Sequence, residues 1–319
     1  MSKIFLKSIK KLYAAFNPGA SAFGRNWAMF PDKEYASGLI RDGLLSPKPL
    51  MVARLGANEL TCMVNYLGVK RSDKYKSIRN YISGKTPPWW WNESTISQMQ
   101  NGAGFFPADT EKVERFSEMM IADLSQVDIL GSWLKEESFF SQDLEGAKKV
   151  MLEDLEPFFA KRPWTWALEG KRVLVVHPFA KTIKAQYARR RKLFENNLLP
   201  QFDLSVVPAV QSIAGQKTNF VDWFDALDSM KEQIAIHDFD VCILGCGAYG
   251  FPLASFVKGM GKKAVHLGGV TQLLFGIRGA RWEQYLFYPY PNLFNEAWVR
   301  PSAGETPYKA NTVEGACYW

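Results

Sequence analysis

Hydrophobic and polar positions along the chain fall into a repeating alternation of short apolar runs and longer amphipathic stretches. The runs PLMVARL (49–55), VDILGSW (127–133), KRVLVVH (171–177), FDLSVVPA (202–209), FDVCILG (239–245) and KKAVHLG (262–268) have the length and β-branched content of buried strands. Helical periodicity separates most of them. Strand followed by helix, repeated, predicts an α/β fold: a Rossmann-like, doubly wound, mostly parallel sheet covered on both faces. Between the first two strands the chain is too long for a simple crossover, and KTPPWWWNES and NGAGFFPAD within it predict a helical insertion around 70–125. After Gly276 the periodicity dissolves into an aromatic-, Pro- and Asn-rich tail over 277–319 that is too apolar to be disordered. The expected organisation is an N-terminal basic amphipathic segment at 1–30, an α/β domain at 31–276, and a C-terminal tail that wraps back over the sheet.

The N-terminal segment has Phe5, Ile9, Leu12 and Phe16 at helical spacing, with Lys3, Lys7, Lys10 and Lys11 among them. Such a helix either packs on the domain or lies in an anionic membrane interface. Composition adds little that is specific. At 319 residues and 47% hydrophobic, the chain can bury a large core. The 39 basic and 32 acidic side chains leave a formal charge of +7, which favours anionic ligands or surfaces. No nucleic-acid-binding signature accompanies that charge, so no nucleic-acid partner is expected. Without a bilayer-length apolar run or a signal peptide, the expected place is the cytoplasm, at the inner face of the membrane if the helix docks there. Cys62, Cys242, Cys246 and Cys317 fit neither a disulfide framework nor a zinc site and read as small core residues.

Ligands of open parallel sheets bind at the carboxyl ends of the strands, so the chemistry is sought in the loops that follow them. LGCGAYG places Gly245, Gly247 and Gly250 in the G-x-G-x-x-G spacing that brings backbone close to a phosphate at a helix start, with Tyr249 in the same turn. A dinucleotide site also needs an acid at the end of the next strand, and that place holds His266; neither NAD nor FAD is expected. ARLGANEL supplies Arg54, Gly56, Asn58 and Glu59. HPFAK supplies His177 and Lys181, and HLGGVTQ supplies Gly268, Gly269 and Gln272 after His266. Two glycine turns, a lysine turn and an acidic turn around one crevice describe a phosphate-rich ligand.

These two segments resemble the GT-D-fold glycosyltransferases. ARLGANEL is similar to that family's Arg-Phe-Gly-Asp-Gly-Glu motif, and CILGCGAYGFPLASFVKGMGKKAVHLGG is similar to its later strand, glycine turn, helix and strand. Arg54, Gly56 and Glu59 match; Ala57 stands at the first acid of the family's D-x-E, Asn58 at its glycine, and Gly269 where a histidine is expected. The resemblance implies a hexosyltransferase with a Rossmann-like fold. It would move sugar from a nucleotide-sugar donor such as UDP-glucose to a glycan or lipid-linked glycan acceptor in surface polysaccharide or glycoprotein assembly, with Mn2+ or Mg2+ held through Glu59. Arg54, Gly56, Asn58, His177, Lys181 and the glycine turns would bind donor, and Glu59 or His266 would be the base. Two rival readings stand beside it: a non-catalytic nucleotide- or sugar-binding module, and an S-adenosylmethionine-dependent methyltransferase. Bland roles remain open for each residue. Glu59 can offset a helix dipole, the run Lys184, Arg189, Arg190, Arg191 and Lys192 can be a solvated face, Trp89–Trp91 can be packing or a sugar platform, and Asp128, Asp222 and Asp240 read as caps or loop residues.

Overall fold

A computed structural model describes every residue except 1, 18, 20, 27, 214, 215, 285–288, 309, 313 and 314. Seven strands, β1 (Leu50–Arg54), β2 (Ile129–Ser132), β3 (Lys148–Met151), β4 (Arg172–His177), β5 (Asp203–Pro208), β6 (Val241–Leu244) and β7 (Lys263–His266), form one sheet in the order β3-β2-β1-β7-β6-β4-β5. Every neighbouring pair is parallel. Six of the strands lie inside the predicted windows. The seventh, β3, was not predicted: it is an edge strand of four residues whose Lys148 and Lys149 face solvent, so it carries no apolar run.

Alternate strand residues point to opposite faces and divide the interior into two cores. Met51, Ala53, Leu174, Val176, Cys242 and Leu244 join one core, which the helices Ala57–Lys70, Thr110–Asp123, Trp223–Ala235 and Gly250–Gly259 cover. Leu50, Val52, Val173, Val175, Val241 and Ile243 join the other, covered by the helices Lys33–Leu45, Ala180–Tyr187 and Thr271–Leu274 and by Trp282, Tyr290 and Trp298 of the tail. The sheet is therefore doubly wound and Rossmann-like. Cys62, Cys242, Cys246 and Cys317 are buried in these cores or the tail.

Acids fix the edge of the sheet away from the candidate site. Asp128 accepts the Met51 N–H at 2.7 Å where β1 begins, and Asp240 accepts the Arg172 N–H at 2.9 Å where β4 begins. The side-chain hydrogen bond from Arg172 holds the Asp240 carboxyl down to about 2. Asp222 caps the Trp223–Ala235 helix by accepting the Phe224 and Asp225 N–H groups. The region around 70–125 is helical, with Ser72–Tyr75, Ile78–Ile82, Glu93–Gly102 and Thr110–Asp123.

Candidate functional site

The chain leaving β1 turns to the first face and the chain leaving β7 turns to the second, although these strands are neighbours. This divergence opens a crevice at the strand carboxyl ends. Register sets its floor: Val176 of β4 aligns with Leu244 of β6, and Leu244 with His266 of β7. A cavity of about 250 Å³ lies there, walled by the loops after six of the strands, by Gly102 and Ala103 of the insertion, and by Arg281, Tyr318 and Trp319 of the tail.

Arg54 carries the positive charge of the floor. Its Nη2 donates to the Leu55 carbonyl at 3.1 Å, and its guanidinium carbon stands 5.4 Å from the centre of the Trp133 ring. It makes no ion pair among the described residues, and its Nε is buried without a hydrogen-bond partner. Burial lowers its affinity for the proton, and the neighbouring positive charge of Arg281 adds to that, whereas Glu59 offsets it. Two other floor atoms are buried and unsatisfied, Nδ1 of His266 and Oε1 of Gln272. Buried polar groups without partners are rare, and a cluster of them marks where a ligand or ordered water belongs.

Glu59 opens the Ala57–Lys70 helix and folds back over Gly56: a Cβ on Gly56 would lie 2.1 Å from Glu59 Oε2. Burial raises the carboxyl above the usual range, while its own backbone N–H and the charge of Arg54 pull it down. Glu59 is thus a helix-start carboxylate that also lines the pocket. Asn58 lies against the insertion, since a Cβ on Gly102 would meet its Nδ2 at 2.5 Å.

The glycines divide by role. Gly247 has φ +57 and open space where a Cβ would project, so its backbone faces the cavity directly. Gly268 has φ +68 and leaves room for Arg54, whose Nη1 would be 2.9 Å from an added Cβ. Gly245 permits close packing instead, because a Cβ there would meet His177 Cδ2 at 2.5 Å and Thr271 Cβ at 2.6 Å. Gly250 is not on the cavity wall; a Cβ there would strike His266 Nε2 at 2.3 Å, so this glycine seats the helix against that ring. Gly269 makes room in the same way for the Tyr318 ring.

Burial holds His177 and His266 neutral. Burial lowers His177 to about 3, and its Nδ1 accepts the Phe179 N–H at 3.0 Å, which leaves the proton on Nε2 as a donor. Burial, then the charge of Arg54, lowers His266 to about 3. The Tyr249 ring stacks on Trp223 with centroids 4.8 Å apart, and its hydroxyl lies 3.2 Å from Ser212 Oγ, which donates to the Gly104 carbonyl at 2.6 Å. Gln272 donates to the Tyr318 carbonyl at 3.0 Å and so ties the tail to the floor.

Lys181 stands apart from the pocket. Its side chain is exposed on the Ala180–Tyr187 helix, while its backbone N–H donates to Glu305 Oε1 at 2.7 Å. Trp89 and Trp90 pack with Tyr81 and Leu6 in a satellite core, and none of Trp89–Trp91 lines the cavity. Arg190, Arg191 and Lys192 form a 3-10 turn with no buried residue, outside the cavity lining. The sequence pattern does not single out several wall residues, among them Ser212, Trp133, Arg281, Tyr318 and Trp319. Trp133 follows a strand directly, the same signal that marks the other loops. Glu137 sets its backbone by accepting the Trp133 and Leu134 N–H groups at 2.9 and 3.1 Å, and Trp133 Nε1 donates to the Leu55 carbonyl at 2.9 Å.

A divalent cation takes six or more oxygen ligands, several of them usually carboxylate. Among the described residues no group of three or more His, Cys, Asp or Glu side chains gathers to hold one. The cavity wall offers a single carboxylate, Glu59, beside the Arg54 charge, with Ala57 next to it. That donor set does not fit a protein-held metal; its positive charge comes from arginine.

No protein-family model matches this chain, and neither a curated protein nor a solved structure is significantly similar to it. Among the described residues no helix is long and apolar enough to cross a membrane.

Proposed function

We propose that the chain is a glycosyltransferase that holds a nucleoside diphosphate sugar in the strand-end crevice and passes the sugar to a glycan hydroxyl. The observation that carries this reading is the Arg54 guanidinium, without an ion pair among the described residues and with a buried, unsatisfied Nε, on a floor next to the positive-φ turns at Gly247 and Gly268. A diphosphate answers that arrangement. It would accept from the guanidinium and the turn backbone, and it would relieve the repulsion between Arg54 and Arg281.

Loss of the sugar leaves negative charge on the departing diphosphate, which a preorganised cation in a shielded site stabilises most. His177 Nε2–H is a fixed neutral donor at the same wall. Glu59, with its carboxyl raised by burial, suits the removal of a proton from the acceptor hydroxyl better than His266, whose charging Arg54 opposes. The sulfonium of S-adenosylmethionine would sit badly near two arginines, which disfavours the methyltransferase reading.

A thermal-shift panel of nucleoside diphosphates, their sugar conjugates, NAD and S-adenosylmethionine tests the ligand class. Stabilisation by the diphosphates and their sugars alone is expected, and slow hydrolysis of the donor distinguishes an enzyme from a binding module. Stabilisation by S-adenosylmethionine alone would overturn the proposal.

A further inference from the structure

The helix Lys3–Phe16 is held firmly and still presents an apolar sector to solvent. Leu6 packs with Tyr81 and Trp90, Lys7 Nζ donates to Asn92 Oδ1 at 2.7 Å, and Lys10 Nζ lies 4.9 and 4.6 Å from the ring centres of Phe23 and Tyr81. These contacts take one side. On the other, Ile4 (78% exposed), Phe5 (52%), Leu12 (61%) and Phe16 (78%) fall within one sector at the helical angle of 100° per residue, with Ser8 and Ala15 between them. Isolated exposed apolar residues are ordinary, but four large ones on a single helical sector are not.

Charge names the occupant. Lys11 borders the sector, Lys3 and Lys7 follow round the helix, and between residues 1 and 31 the sequence has five basic side chains and no Asp or Glu. A second copy of the chain would bring the same positive rim against this one and be repelled. An anionic bilayer offers acyl chains to the apolar sector and headgroups to the lysines.

We infer that the Lys3–Phe16 helix is an interfacial anchor that docks the protein on an anionic lipid surface, with Ile4, Phe5, Leu12 and Phe16 in the acyl region and Lys11 at the headgroups, while Lys3 adds to the attraction from further round the helix. The helix is joined to the pocket through backbone. The Asn26 N–H donates to the Trp133 carbonyl at 2.7 Å, and the Lys135 N–H to the Gly24 carbonyl at 2.9 Å, so the segment leaving the anchor pairs with the turn that supplies Trp133. A lipid-borne acceptor would then meet the crevice at the surface. That last consequence rests on the transferase reading, whereas docking does not.

The test is co-sedimentation of the full chain with phosphatidylcholine vesicles, with and without phosphatidylserine, at low and high salt. Binding only to the phosphatidylserine vesicles, weakened by salt, is expected. The pairs Leu12→Glu with Phe16→Glu and Lys3→Glu with Lys11→Glu change exposed residues, so thermal unfolding should be unaltered while vesicle partitioning falls about tenfold or more for each pair. Wild-type protein left in the supernatant, or either folded pair sedimenting like wild type, would overturn the inference. A concentration-dependent dimer abolished by the apolar pair would assign the sector to a second copy instead. Failure of nucleotide binding leaves this result untouched, and the reverse holds.

Discussion

The indole of Trp133 lies over Arg54, with the guanidinium carbon 5.4 Å from the ring centre, and so covers a cation that makes no ion pair among the described residues. An aromatic face satisfies part of the charge while leaving the N–H edge free for a ligand. A group held this way is poised for binding at the expense of stability. Arg54→Gln should therefore raise the thermal midpoint of the ligand-free protein while weakening nucleotide binding. A lowered midpoint in differential scanning calorimetry would make Arg54 a structural residue.

Gly247 occupies left-handed backbone, with open cavity beyond it. Gly247→Val adds a branched side chain in that space and costs about 1–2 kcal/mol in backbone strain, which a chain of this size should survive. Folding measured by circular dichroism should persist while diphosphate binding is lost. Gly250→Ala should behave in the opposite sense, displacing the His266 ring and destabilising the fold more than its distance from the cavity suggests. Undiminished binding by Gly247→Val would remove the glycine turn from the ligand site.

Glu156 is buried under the tail, where the Tyr290 hydroxyl lies 2.9 and 2.7 Å from its two carboxylate oxygens, and burial pushes its carboxyl up to about 8. A carboxyl whose folded value lies above its unfolded 4.5 contributes stability fully below pH 4.5 and loses it as pH rises through 8. The two buried histidines act in a lower window: their folded values near 3 lie below 6.5, so their contribution is complete above 6.5 and lost as pH falls towards 3. Between pH 6.5 and 8 the Glu156 effect is therefore separable. Denaturant unfolding of wild type should lose stability across that range, by at most about 1.4 kcal/mol per pH unit, and Glu156→Gln should flatten the slope. Equal slopes would show that Glu156 is ionised in the folded protein.

Glu59→Gln keeps the size of the side chain and one oxygen. If Glu59 served only the helix start, the variant would lose less than about 1 kcal/mol of stability and little else. As the base of the proposed reaction it should lose about 100-fold or more in turnover, with donor affinity nearly intact. Chelator should leave the wild-type rate in place, because the charge on the leaving diphosphate is met by arginine. Near-normal turnover in Glu59→Gln would take it out of the chemistry.

What the sequence made legible follows from how locally each feature is encoded. Buried central strands such as Val173–Val176 and Val241–Leu244 are continuous apolar runs, and they were found. Edge strand β3 buries only Val150 fully and left no such trace. Arg54, Glu59, His177, Gly247, His266 and Gly268 are brought together on the cavity wall because each ends a strand or lies in the turn that follows one, and the parallel sheet gathers strand ends at one edge. Arg281, Tyr318 and Trp319 reach the wall only because the tail folds back and is tied by Gln272, a long-range event with no local pattern. Lys181 failed for the opposite reason: it follows β4, but its helix phase turns it to solvent.

The most direct measurement is calorimetric titration of the full chain with a nucleoside diphosphate and its sugar conjugates, repeated with Arg54→Gln. The expected result is saturable binding by wild type, weakened about tenfold or more in a variant that is folded and at least as heat-stable, since a charge-assisted contact to phosphate contributes about 1.5–3 kcal/mol. Absence of diphosphate binding by the wild-type chain, or equal affinity in Arg54→Gln, would contradict the account.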